Sequence, residues 1–283
     1  MIDTTAPLSL LEALVLGIVQ GLTEFLPISS TAHLRVVPAL LGWEDPGVSV
    51  TAAIQLGSVA AVVAYFRRDL TQVLKGISRA VRHGKWREPE ACLGVAMLIG
   101  TLPILVFGLG IKFFWHEGYA SSPLRSVPSI AIVSIVMALF LALAERMGSR
   151  LKQLGGVTGR DGFVVGLAQA LALIPGVSRS GSTLTASLFD GWKRADAARF
   201  SFLLGIPAIS TAGLVELKSA LGTSSGAGPL PLLVGIFSAA VVSWLAIDWL
   251  LRFLQRNSTW IFVGYRLVFG AGLLVWCAVK SAN

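Results

Sequence analysis

The hydrophobic residues of this chain fall into long blocks separated by short polar runs. Six blocks, roughly 48–66, 91–112, 127–145, 199–219, 229–251 and 260–279, approach the ~20 residues that a helix needs to cross the hydrocarbon. Tyr65, Trp115, Trp244 and Trp260 lie at or near block ends, where amphipathic rings meet headgroups. Two further apolar segments are interrupted at their centres. Segment 9–42 is broken by Pro27-Ile28-Ser29-Ser30-Thr31, and segment 161–191 by Pro175-Gly176-Val177-Ser178-Arg179-Ser180. Each half runs about 10 to 17 residues, too short to cross alone, which predicts a re-entrant helix hairpin in both places. Non-helical backbone at membrane depth persists only inside protein or against a water-filled cavity, so a cavity is expected beside both breaks.

The two broken segments resemble each other. Gly17-Ile18-Val19-Gln20 leads to Pro27 and Ser29-Ser30; Gly166-Leu167-Ala168-Gln169 leads to Pro175 and Ser178-Arg179-Ser180. A Leu-Gly pair follows each, at Leu56-Gly57 and Leu204-Gly205. Three blocks separate the copies, and an odd number of crossings makes them inverted; interrupted segments at matching places in such halves point to the binding site. The expected fold is therefore an all-α polytopic membrane protein with six transmembrane helices and two re-entrant hairpins in an inverted repeat. The whole chain, 1–283, forms one integral membrane domain with halves 1–145 and 161–280.

Composition agrees. Of the 283 residues, 54% are hydrophobic and 13% charged, about half the charged share of a soluble domain, which excludes a soluble enzyme. The net charge of +8 does not signal nucleic acid, because the basic residues track topology. Segments 67–90, 146–160, 192–199 and 252–259 carry 16 of the 23, whereas 113–126 and 220–228 offer only Lys-free stretches with Arg125. The basic side is expected to be cytoplasmic, which leaves both termini outside and the first hairpin entering from outside. Cys92 and Cys277 each sit in an apolar stretch, too few for a disulfide framework or a Cys-rich zinc site.

The breaks concentrate the chemistry. Gln20 and Glu24 are four apart and share a helical face; Ser30 and His33 share the first turn of the next half-helix. Arg179 stands among Ser178, Ser180, Ser182 and Thr183. Ionisable groups at membrane depth are costly and mark function by default, although Glu24 and Arg179 paired only to join the hairpins would be a structural alternative. Half-helix N-termini present unpaired N–H groups and partial positive charge. Two of them facing each other, with Arg179 as a bidentate fork, form a phosphate cradle in apolar surroundings. An anionic amphiphile is the expected ligand. Ser30, His33 and Glu24 supply a hydroxyl, an acid or base and a carboxylate for phosphoryl transfer. Gln20 with Glu24 offers oxygen ligands of the kind Mg²⁺ or Ca²⁺ accepts when phosphate completes the shell.

These motifs resemble those of the undecaprenyl pyrophosphate phosphatase family, the bacitracin-resistance type. One signature is Glu/Gln-x-x-x-Glu with Pro-x-Ser-Ser-Thr-x-His, met here by Gln20, Glu24, Pro27, Ser29, Ser30, Thr31 and His33. The other is Pro-Gly-x-Ser-Arg-Ser-x-x-Thr, met by Pro175, Gly176, Ser178, Arg179, Ser180 and Thr183. The resemblance covers essentially the whole chain. Gln at position 20 is the uncharged variant, which leaves metal affinity more dependent on Glu24 and substrate.

The resemblance implies hydrolysis of undecaprenyl diphosphate to undecaprenyl phosphate and inorganic phosphate, which recycles the lipid carrier of peptidoglycan synthesis. It implies a bacterial inner-membrane enzyme whose site faces the periplasm or cell exterior, aided by Mg²⁺ or Ca²⁺. Carried onto this chain, Ser30 would be the nucleophile, His33 its proton-transfer partner, and Arg179 the charge stabiliser. Glu24 would orient Ser30, act as base or bind metal. Gln20, Ser29, Thr31, Ser178, Ser180 and Thr183 would contact substrate. Partners are the prenyl diphosphate and membrane lipid, with no nucleic acid; a homodimer stays open. The lipid phosphatases with a Ser-Arg-x5-His-x3-Asp motif do not fit, since Thr185 and Phe189 occupy the His and Asp places. The rival function is a transporter of undecaprenyl phosphate, for which a cradle alone would suffice.

Overall fold

The structure, a computed structural model, describes residues 8–115, 118–119, 122–222 and 228–282; most of segment 220–228, whose Gly-Thr-Ser-Ser-Gly-Ala-Gly run reads as a linker, lies outside them. Among the described residues there is no β-strand, and the chain runs as helices. In order these are α1 (Leu10–Phe25), α2 (Ser30–Leu41), α3 (Gly47–Tyr65), α4 (Arg67–His83), α5 (Pro89–Phe114) and α6 (Val127–Met147), then α7 (Gly159–Ala170), α8 (Arg179–Phe189), α9 (Arg194–Gly222), α10 (Pro229–Arg256) and α11 (Trp260–Ala282). Helices α5, α6, α10 and α11 are long and apolar enough to cross a membrane, and α3 with α4 is a fifth candidate bent by 67°. Leu102, Val106 and Phe237 on their outer faces are exposed, as lipid-facing side chains are. The chain is a multi-pass membrane protein.

Both expected breaks are present, and the arms leading to them are built alike. α1 starts with a capping box: Glu12 N–H donates to Ser9 Oγ at 3.2 Å, and Ser9 N–H to Glu12 at 2.8 Å. α7 starts with another, between Thr158 and Asp161; such boxes satisfy orphan N–H groups reciprocally. Each arm then presents small residues every fourth position, Ala13, Gly17 and Gly21 on α1 and Gly162, Gly166 and Ala170 on α7, all buried. Small stripes let helix backbones approach closely. α1 lies along α10, and α7 along α5, so each broken arm is held by a long helix from the other half of the chain. A Cβ on Gly166 would run into the backbone of Gly100. Neither backbone has room to yield, and overpacking of this kind costs about 1–3 kcal/mol or more. Gly166→Val is therefore expected to lower the unfolding temperature in detergent, whereas Gly264→Ala, in open space, is expected to leave it unchanged or raise it.

The basic segment 67–90 is largely the helix α4, an amphipathic one. Val73, Gly76 and Ala80 recur on one face and bury against α5, which is enough apolar surface to fold the basic stretch back onto the bundle. The start of α7 and the end of α8 are joined by Lys152, whose ammonium bonds Asp161 at 2.8 Å and Asp190 at 2.6 Å. Burial works against that charge, but the two carboxylates outweigh it and hold the Lys152 pKa above its ordinary value. The main apolar core, with Phe25, Phe66, Phe202, Leu184 and Trp192, fills the space between the breaks and the basic side.

Candidate active site

The two breaks end on the same unusual backbone. Ser29, before α2, has φ 78° and ψ 99°; Ser178, before α8, has φ 71° and ψ 113°. Positive φ is strained for a residue with a Cβ, and such strain gathers where function over-determines it. The arms match at one constant sequence offset: Ser9 with Thr158, Gly17 with Gly166, Gln20 with Gln169, Ser29 with Ser178. At that offset the first residue of α2, Ser30, matches the first residue of α8, Arg179.

One buried cluster draws both breaks together. Ser30 Oγ donates to Glu24 Oε2 at 2.9 Å, and Gln20 Nε2 donates to the same oxygen at 3.1 Å. Arg179 Nη2 donates to the other oxygen, Oε1, at 3.3 Å. Glu24 and the Arg179 side chain are 7% and 9% exposed, so their attraction is little screened. Removing one partner would strand a buried charge. Arg179 also donates to the Ser201 carbonyl at 3.4 Å, and the guanidinium lies over Gly205, where a side chain would displace it. Its Nε, buried, has no partner among the described residues. Gln20, Ser30 and Thr31 line a cavity of about 310 Å³, together with Asp45 from the connection between α2 and α3 and Gly47 at the start of α3.

His33 lies elsewhere in the cluster. Its Nδ1 is 2.7 Å from the Ser29 carbonyl, which accepts only, so Nδ1 carries the proton and Nε2 accepts from the Tyr265 hydroxyl at 2.6 Å. The ring stacks on Phe269, 4.4 Å between centroids. Ser30 thus bonds Glu24, while His33 braces the strained residue just before Ser30. Ser29 and Thr31 share a hydroxyl contact at 3.2 Å. In the second break Ser178 caps α8 through Gly181 N–H, and Ser180 donates to the Leu26 carbonyl at 3.0 Å. Thr183 turns away, bonding the Arg179 carbonyl and Ser201. Ser182 and Thr185 likewise bond carbonyls of their own helix, so back-bonding accounts for much of the hydroxyl richness of this motif.

Sequence reasoning missed Arg266. It is buried in α11 and donates to four carbonyls: Gly176 at 2.7 Å, Val177 at 3.0 Å, Pro27 at 3.2 Å and Ser134 at 3.2 Å. One guanidinium therefore ties the first break, the second break and α6. The signal was available, since an arginine deep in an apolar span is costly enough to mark function. Among the described residues no three His, Cys, Asp or Glu side chains come together as a metal cluster. Glu24, Gln20 and Ser30 still make an oxygen-bearing set compatible with a hard cation whose shell is completed by phosphate oxygens.

A multi-pass helical protein with a buried hydroxyl, carboxylate and guanidinium gathered at two helix breaks stands among the membrane proteins that handle anionic lipids. A family model described as "Bacitracin resistance protein BacA" matches residues 13–272, and the chain belongs to that family. It is 93% identical over 283 residues to an undecaprenyl-diphosphatase of Synechococcus sp. (strain CC9902), covering 100% of both chains. Undecaprenyl-diphosphatases of Synechococcus sp. (strain CC9605) and Parasynechococcus marenigrum (strain WH8102) are 78% and 75% identical, each over 287 aligned positions and 100% of both chains.

Proposed function

We infer that this chain is an undecaprenyl-diphosphatase: it hydrolyses undecaprenyl diphosphate to undecaprenyl phosphate and inorganic phosphate and so recycles the lipid carrier of cell-wall synthesis. The observation that carries the chemistry is the Ser30 hydroxyl held 2.9 Å from the Glu24 carboxylate at the wall of an open cavity. In this reading Ser30 Oγ attacks the terminal phosphorus and Glu24 takes its proton. The P–O bond to the bridging oxygen breaks, and the electron pair stays with the prenyl phosphate. Arg179 and the N–H groups opening α2 and α8 stabilise charge on the transferring phosphoryl oxygens. Ser29, Thr31, Ser178 and Ser180 complete the cradle. Glu24 passes the Ser30 proton to the departing prenyl phosphate; water then attacks the phosphoserine, Glu24 takes a proton from the water and hands it to Ser30 Oγ as the P–Oγ bond breaks, and inorganic phosphate leaves. His33 acts by holding the Ser29–Ser30 turn, a positioning role that its engaged ring nitrogens favour over direct proton transfer with Ser30. A divalent cation, Mg²⁺ or Ca²⁺, held by Glu24 and Gln20 together with substrate oxygens, would neutralise phosphate charge.

The same reading takes α3, α5, α6, α9, α10 and α11 as six crossings and α1–α2 and α7–α8 as re-entrant hairpins of an inverted repeat, halves 1–145 and 161–280. The basic side faces the cytoplasm, the cavity opens outward, and the membrane is the bacterial inner membrane. All the site residues belong to one chain, so the chemistry needs no second copy. A second reading, lipid phosphate transport, draws on another cavity of about 580 Å³ lined by Tyr65 at the end of α3, Arg199 of α9 and Asp248 of α10; Phe66, also on its wall, packs edge-on against Phe202, as does Phe25. Purified protein in detergent, given a long-chain prenyl diphosphate, is expected to release inorganic phosphate, to stop with chelator and to recover with Mg²⁺ or Ca²⁺. No release with any divalent cation would overturn the phosphatase reading and leave transport in front.

A further inference from the structure

The outer cavity is lined by more cationic chemistry than the family motifs contain. Arg35, one turn beyond Thr31 on α2, and Arg125, at the end of a short turn before α6, both contribute to its wall. Neither forms an ion pair with a described carboxylate. The cavity's one described acid, Asp45, spends an oxygen on Gly47 N–H at 2.9 Å. Arg125 is held over the Tyr119 ring, 5.4 Å from its centroid, and the Tyr119 hydroxyl is bonded to the Leu173 carbonyl at the second break. The guanidinium is therefore tethered to the framework of the site rather than free on a loop. On the other wall, Thr31 and Arg35 share one face of α2, so Arg35 sits about 7.5 Å further along the helix axis than Ser30.

Ser30 and Arg179 account for one phosphate, and a diphosphate brings two. We propose that Arg35 and Arg125 form a second anion subsite that holds the phosphate remaining on the prenyl chain. When the bridging P–O bond breaks, the electron pair settles on the oxygen of that phosphate, and two guanidinium groups there stabilise the leaving group as its charge grows. The subsite would make the enzyme prefer diphosphates over monophosphates and would retain the prenyl phosphate product. This inference rests on the phosphatase reading for its catalytic part, but the binding it requires is measurable without turnover.

The test uses the full chain in detergent at fixed ionic strength, with Arg35→Ala, Arg125→Ala, the double variant and Arg35→Lys. Phosphate release from a prenyl diphosphate is measured alongside equilibrium binding of prenyl monophosphate and of inorganic phosphate. The double variant is expected to lose about 100-fold in kcat/KM, to bind prenyl monophosphate more weakly, and to bind inorganic phosphate as the native chain does. Arg35→Lys is expected to recover part of the loss. Native kcat/KM in the double variant, or an equal loss of both ligands, would overturn the subsite while leaving the phosphatase reading intact. A loss that vanishes at high salt would assign the arginines to steering and overturn it too. If the native chain releases no phosphate yet the double variant still loses prenyl monophosphate alone, the subsite stands and the phosphatase reading falls.

Discussion

Ser30→Ala is expected to reduce phosphate release by about 10⁴-fold or more, the scale seen when a nucleophilic hydroxyl is removed from a cooperating set. The size separates two roles. A hydroxyl that merely bonds a charged phosphate is worth about 1.5–3 kcal/mol, or roughly 10- to 150-fold. Glu24→Gln keeps the shape beside Ser30 but removes the base, and a drop of about 10²–10⁴-fold is expected. Because Glu24 is also paired to Arg179 at 3.3 Å, the unfolding temperature of each variant is measured in parallel. A fall of only tenfold in Ser30→Ala, with folding intact, would move the attack from Ser30 to a water activated by Glu24.

Arg266→Leu is expected to unfold the site itself. The native side chain bonds carbonyls on three elements, and each buried acceptor left bare costs about 1–3 kcal/mol. Four of them amount to a substantial part of the 5–15 kcal/mol that holds a typical fold. The unfolding temperature in detergent should fall well beyond the few degrees of an ordinary substitution, and activity should vanish. Arg266→Lys, with three donors but no planar fork, should fall between. An Arg266→Leu protein with native melting and native turnover would show that the breaks hold their shape unaided.

The breaks were legible because they violate the pattern around them: Pro27 and Pro175 end apolar half-helices, and serines follow where a span would continue. The motif residues Gln20, Glu24, Ser30 and Arg179 were legible for the same reason. What the sequence concealed depends on distance along the chain. Tyr265 meets His33 across 232 positions, and nothing local to His33 announces it. Thr183 reads as another phosphate ligand but spends its hydroxyl on its own helix and on Ser201. Arg266 stood in plain view as a charge within an apolar block, but one charge barely alters a 20-residue hydropathy window, and its carbonyl partners lie far along the chain.

The matched register of Ser30 and Arg179 bears on how such a site arises. If the arms descend from one duplicated segment, the hydroxyl and the guanidinium descend from a single ancestral position. An ancestor carrying the same residue in both arms would have held two hydroxyls or two guanidiniums, and no complementary pair. On that descent, the positive-φ serines, the capping boxes and the small-residue stripes would be what both copies kept. The chemistry would then have entered at the one position where the copies parted.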